Sequence, residues 1–155
     1  MSALTNNFEN KFIDFIFRAQ ALGLSNSTAS AGTGPSSLYI ALYTVMPTSS
    51  SLGTEVSGNG YARASVSSSL INWAGTQGSG TTAVSSGTGG LTSNNVSIPF
   101  PTPTPASWGT LVGAAVLDAA TVGNMLFFSS LTTSKTINAN DTVTFPAGSL
   151  TFQIQ

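Results

Sequence analysis

The chain has neither histidine nor cysteine in its 155 residues, and only four basic and five acidic side chains. Without histidine it loses the commonest general base, the Ser-His nucleophile pair and most zinc sites. Without cysteine it has no disulfide, no thiol nucleophile and no thiolate metal ligand, a state that fits any redox compartment. Its charged share is 6%, where an ordinary soluble domain carries about 25%. The four cations, Lys11, Arg18, Arg63 and Lys135, are scattered along the chain. Phosphate backbones bind clustered cations, so nucleic acid is not an expected partner. A net charge of −1 gives weak electrostatic protection against self-association. No apolar run approaches the roughly 18 residues of a membrane span, so no membrane partner is expected. The opening "MSALTNNFENKFIDFIFRAQ" also lacks the basic start and long apolar stretch of a secretory signal.

The sequence is nonetheless not that of a disordered chain. Its hydrophobic share is 41%, arranged in periodic segments, with serine, threonine, glycine and asparagine in place of charge. The length predicts one β domain over residues 1–155, large enough to enclose a core. An N-terminal helical segment is expected within residues 1–21, with the helix proper at 6–21. Asn6 is the expected cap, with Glu9 three residues on in a variant capping box. Leu4, Phe8, Phe12, Phe15, Ile16 and Ala19 recur at helical spacing, and Ile13 and Phe17 widen that stripe. Phe8, Phe12, Phe15 and Phe17 are therefore candidate interface residues, on a helix that either packs on its own domain or docks into a neighbour.

After a loop of small polar residues at 21–37 the period changes to two. "LYIALYT" alternates Leu38, Ile40 and Leu42 with Tyr39, Ala41 and Tyr43, a strand covered on both faces. "YARASVSSSLINW" continues as extended chain. Between these segments lies "GTEVSGNGYAR". Asn59-Gly60 favours positive φ and predicts a tight turn of a hairpin. That turn brings Glu55 and Arg63 within reach of each other as an exposed pair worth about 0–1 kcal/mol, which sets register more than stability. Residues 74–95 form a Gly/Ser/Thr-rich insertion or loop with little to bury, ordered only if the domain surface or a neighbouring chain holds it. Prolines 99, 101, 103 and 105 then favour an extended edge. "WGTLVGAAVLDAATVGNMLFFSSL" reads as two strands joined by a turn at 118–124, and "DTVTF" and "SLTFQIQ" supply two more. The sum is a mainly β chain, an antiparallel β-sandwich or jelly-roll-like barrel of about six to eight strands with one N-terminal α-helix.

Chemistry is hard to place on this scaffold. Ser134 and Lys135 are adjacent and point to opposite faces of a strand. Asp118 and Asp141 sit beside turn formers, where aspartate caps backbone amides, and neither has the spacing of a calcium loop or of a glycosidase pair. No phosphate-cradling glycine loop is present. No catalytic residue, metal site or cofactor is expected, and the chain reads as a non-enzyme.

The segments "LTNNFENKFIDFIFR", "SLYIALYTVMP", "GTEVSGNGYARASV", "ASWGTLVGAAVLDAATVGNMLFFSSL" and "FPAGSLTFQI", in that order, carry a resemblance. The chain resembles a family of small tailed-bacteriophage proteins labelled virion structural or tail-fibre proteins; the tract at 74–95 departs from the pattern. The resemblance implies a place in the virion and partners among other virion proteins, either the major capsid protein or tail components. No repeats or heptads of a long shaft are present. A small uncharged β-domain with an aromatic helix suits a capsid-decorating or cement subunit, in a homo-oligomer. The alternatives are a compact tail or tail-fibre-associated module, and a carbohydrate-binding β-sandwich using Trp73, Trp108 or Tyr61 as a stacking platform.

Overall fold

The computed structural model of the chain describes residues 4–24 and 34–154. The first three residues of the expected helical segment and positions 25–33 of the expected loop lie outside the described residues. One helix, α1 (Asn6–Arg18), precedes nine strands among the described residues. They are β1 (Ser37–Val45), β2 (Thr54–Glu55), β3 (Ala64–Ser67), β4 (Leu91–Ser93), β5 (Ile98–Pro99), β6 (Gly109–Leu117), β7 (Met125–Ile137), β8 (Thr144–Phe145) and β9 (Thr151–Gln153). The count exceeds the sequence expectation because several are pairings of two or three residues, too short for alternation to register. The architecture is mainly β in antiparallel sheets with a single N-terminal helix, and no barrel closes among the described residues. These residues divide into two compact units. One is drawn from Met1–Ser37, Ser67–Ile98 and Phe145–Gln155, the other from Leu38–Val66 and Pro99–Thr144.

The first unit is built on α1. Its cap is Thr5 and not Asn6: the Thr5 hydroxyl accepts the Phe8 amide at 3.3 Å, so the cap lies one residue earlier and Asn6 is the first residue of the helix. It also stops earlier, at Arg18, because Ala19 turns left-handed at φ 55° and the Gln20 amide returns to the Asp14 carbonyl at 3.0 Å. Ile13 and Phe17 enter an aromatic core. The Phe17 ring stands 5.0 Å from Trp73, edge on, and 5.0 Å from Phe152, stacked. Full burial of Phe17 contributes about 1.5–3 kcal/mol. β4 pairs antiparallel with β9, placing Thr92 opposite Phe152.

The second unit holds the five-stranded sheet in the order β2-β1-β6-β7, with β3 also on β1. β1 runs antiparallel to β6, Ala41 opposite Ala115 and Tyr43 opposite Gly113. Ala41, Tyr43, Ala115 and Leu117 close one face, with Met125 packed on them. Leu38, Ile40 and Leu42 are buried on the other. The small residues have a use: a Cβ on Gly113 would collide with the Met46 thioether. β6 and β7 form the hairpin that the sequence shows, Ala115 facing Phe128 and Val116 facing Phe127. Lys135 then faces Leu111 while Ser130 faces Gly113, so residues 131–134 bulge out opposite Val112 alone.

The turn between Glu55 and Arg63 sits differently from the hairpin expected of it. β2 and β3 each hydrogen-bond to β1 and not to each other. Since β6 occupies one side of β1, both short strands share its other side, and residues 56–63 leave that side as an excursion between them. Turn chemistry marks a reversal locally, but the choice of pairing partner belongs to the longer strand alongside.

Candidate functional site

Two arginine centres organise the units, of which only one, as the pair of charges Glu55 and Arg63, was expected from the sequence. In the second unit the excursion is a turn closed by the Tyr61 amide on the Gly58 carbonyl at 2.9 Å. Asn59 and Gly60 take φ 50° and 76°, both in the left-handed region that this type of turn requires. A side chain at Gly60 would be strained there, with its Cβ only 3.3 Å from the Thr102 carbonyl. Asn59 fastens the turn to the proline-rich segment. Its carbonyl accepts the Thr104 amide at 3.0 Å and the Trp108 indole N–H at 3.0 Å, and its Nδ2 donates to the Ser107 carbonyl at 3.0 Å.

Arg63 meets Glu55 fork to fork. Nε donates to Oε1 at 2.8 Å and Nη2 to Oε2 at 2.7 Å. Nη1 reaches the Ala119 and Val122 carbonyls, each at 2.8 Å. The arginine side chain is 10% exposed and the glutamate 24%. The pair is thus a partly buried, bidentate one and not the exposed pair that spacing implied, and its work is to hold the β6–β7 loop. Hydrogen bonding to Glu55 raises the Arg63 pKa above its ordinary value. Tyr61 completes the cluster: its hydroxyl donates to Glu55 Oε1 at 3.0 Å and accepts the Leu42 amide at 3.0 Å. Burial, reinforced by the Glu55 charge, raises the Tyr61 pKa well above the usual phenol value. Burial likewise raises that of Tyr43. A cleft of about 220 Å³ beside the pair is lined by Tyr43, Leu52, Leu117 and Val122, among others. Every charged group around it is committed to a neighbour within the cluster. The arrangement ties the excursion to β1 and to the β6–β7 loop.

Asp118, at the start of the same loop, accepts the Asn124 side-chain amide at 2.8 Å and its backbone amide at 2.7 Å. These hydrogen bonds, the side-chain one first, hold the Asp118 carboxyl below its ordinary range. Asp141 likewise accepts the Asn138 amide at 2.8 Å. Both are turn caps. Among the described residues no three His, Cys, Asp or Glu side chains gather as a metal site, and no helix is long and apolar enough to cross a membrane. Of the three aromatics of the carbohydrate-binding reading, Trp73 and Trp108 are buried, and Tyr61 is half-buried with its hydroxyl engaged by Glu55.

In the first unit, α1 turns a charged face inward. Glu9, Asn10, Ile13, Asp14, Phe17 and Arg18 are its buried residues. Arg18, fully buried, donates to Asp14 Oδ1 at 2.7 Å, to the Trp73 carbonyl at 3.0 Å, to the Ala83 carbonyl at 2.6 Å and to the Ser85 hydroxyl at 3.2 Å. Asp14 accepts the Ser85 amide at 2.8 Å and its hydroxyl at 2.6 Å. Asn10 donates to the Gly87 carbonyl at 3.1 Å and accepts the Thr76 hydroxyl at 2.6 Å. The tract at 74–95, poor in anything to bury, is thereby laid along the helix by hydrogen bonds. Sequence reasoning missed this clasp. Its signal was the spacing of Asp14 and Arg18, one helical turn apart and two of the chain's few charges.

Of the four candidate aromatics, Phe17 is enclosed in its own unit, whereas Phe8, Phe12 and Phe15 are half-buried on the opposite side of the helix, beside Ile16. The Phe8 and Phe12 rings lie 6.2 Å apart. These rings are partly exposed, whereas Asn6 and Asn7 at the start of α1 are the exposed residues of the helix.

A family model described as Podophage GP4 fiber I protein gp80 matches residues 3–153, and the chain belongs to that family. Its place is in the virion. No curated protein matches the chain.

Proposed function

We propose that this chain is a non-enzymatic module of the phage tail-fibre apparatus, held against other virion proteins through the outward face of α1. The family match carries this reading and favours the fibre apparatus over capsid decoration. Phe8, Phe12 and Phe15 supply the contact, because the helix spends its polar side on its own tract and keeps these rings half-exposed. Covering what remains exposed of three phenylalanines contributes roughly 2–4 kcal/mol before the costs of association. Glu55, Arg63, Asn59 and Gly60 have a structural role, fixing the excursion beside β1.

The test is complementation of phage lacking the protein. Phe8→Ser combined with Phe12→Ser, supplied in trans, should fold normally and be incorporated into particles at least tenfold less than wild type. Image reconstruction of wild-type particles should place the density on the tail. Normal incorporation of the double variant removes the helix from the contact, and density on the capsid shell returns the decorating role.

A further inference from the structure

The sequence contains a single Asn-Gly pair, Asn59-Gly60. It stands in the excursion beside β1, with Gly58 and Gly60 exposed and Asn59 half-buried. This dipeptide carries chemistry of its own. The Gly60 amide nitrogen, with no Cβ of its own to hinder the approach, can attack the side-chain carbonyl carbon of Asn59. The N–H proton is lost, the Cγ–Nδ2 bond breaks, ammonia leaves and a five-membered succinimide closes. Water then opens the ring. Addition at Cγ leaves aspartate, and addition at the main-chain carbonyl leaves isoaspartate, in which the chain runs through Cβ and Cγ. Water is the only co-reactant, and nothing is oxidised or reduced.

The fold sets Asn59 against this reaction. With Asn59 left-handed at φ 50°, its Cα–C bond holds the Gly60 nitrogen away from the side chain, so ring closure needs a large rotation about that bond. The peptide unit is planar, and the rotation therefore swings the Asn59 carbonyl oxygen off both of its donors. These are the Thr104 amide and the Trp108 indole N–H, each at 3.0 Å. The same rotation opens the turn that the Tyr61 amide closes on the Gly58 carbonyl at 2.9 Å. The leaving nitrogen is held as well, since Nδ2 donates to the Ser107 carbonyl at 3.0 Å.

We propose that Asn59 is a self-modification site, kept unreacted by the fold and released by unfolding or by loss of these contacts. Either product puts a carboxylate where Nδ2 donated to the Ser107 carbonyl. Isoaspartate also lengthens the excursion by one backbone atom and displaces the carbonyl that anchors Thr104 and Trp108. A chain converted before folding therefore cannot fasten residues 56–63 to the proline-rich segment as the native chain does.

Peptide mapping by mass spectrometry, with isoaspartate resolved from aspartate, reads the reaction. In one mildly alkaline buffer, the full chain held unfolded in urea should convert Asn59 at least tenfold faster than the folded chain. Trp108→Phe, which keeps a ring and removes the donor, should raise the rate in the folded protein several-fold. Tyr61→Phe leaves every hydrogen bond of Asn59 in place and should not. Protein from purified particles should carry Asn59 intact. Equal rates in the folded and unfolded chain overturn the proposal, and so does a folded Trp108→Phe protein that reacts no faster than wild type. The first comparison decides the matter even where that variant does not fold.

Discussion

Tyr61 joins two hydrogen-bonding systems, since one oxygen serves both the Leu42 amide of β1 and the Glu55 carboxylate that holds Arg63. Tyr61→Phe leaves that amide without its acceptor and should destabilise the protein by about 1–3 kcal/mol in denaturant titration. The pH dependence has a definite sign. The folded-state pKa of Tyr61 is raised, so the folded protein keeps its proton after the unfolded chain has lost it. The corresponding stability is intact below the ordinary tyrosine value of 10.0 and declines as pH rises above it. Wild type should therefore lose its advantage over Tyr61→Phe progressively in alkali, and a constant gap from pH 7 to 11 would refute this. Val122 is a second residue-scale feature, a β-branched side chain 86% exposed at φ 57°. Such a conformation costs about 1–3 kcal/mol, partly offset on changing to glycine by backbone entropy of about 0.5–1 kcal/mol. Val122→Gly should raise stability by about 1 kcal/mol; a loss would mean that the exposed side chain packs usefully after all.

At the scale of elements, α1 illustrates what a pattern does and does not reveal. The hairpin of β6 and β7 was legible because two apolar alternations flank a turn that Asp118 caps, all within one short stretch. The helix was legible as a helix through the spacing of its aromatics, and yet its inward face was not. The usual inference sends the apolar stripe inward. Here the inward side faces a tract whose exposed carbonyls and amides demand partners, and Asn10, Asp14 and Arg18 supply them. The pairing of β2 and β3 with β1 was illegible for a related reason, since turn residues reveal a reversal but not the neighbour. The clasp makes a strong demand in return. Asp14→Ala strands a fully buried guanidinium and should cost about 3–5 kcal/mol. Limited proteolysis should then cut within residues 83–86, which Arg18 and Asp14 fasten in the wild type. Unaltered resistance there would show that the glycine-rich tract is held by something other than the helix.

For the whole molecule, low charge is the property that ties composition to the virion. Four basic and five acidic residues leave little for long-range attraction, and the arginines that could have served a partner are spent inside, Arg18 on Asp14 and Arg63 on Glu55. On the reading proposed above, contacts with other virion proteins rest on apolar side chains such as Phe8, Phe12 and Phe15, which screening does not weaken. Raising salt from about 0.1 to 1 M shortens the Debye length from about 10 to about 3 Å, enough to dissolve attachments made by exposed charge. Particles carrying this protein should keep their full complement through that change. Incubation in about 2 M urea, which solvates apolar and peptide groups alike, should release it sooner than salt does. Quantitative mass spectrometry of washed particles reads both arms. Loss of the protein in high salt, with retention in urea, would mean that the few remaining exposed charges, Lys11 and Lys135 foremost, make the attachment.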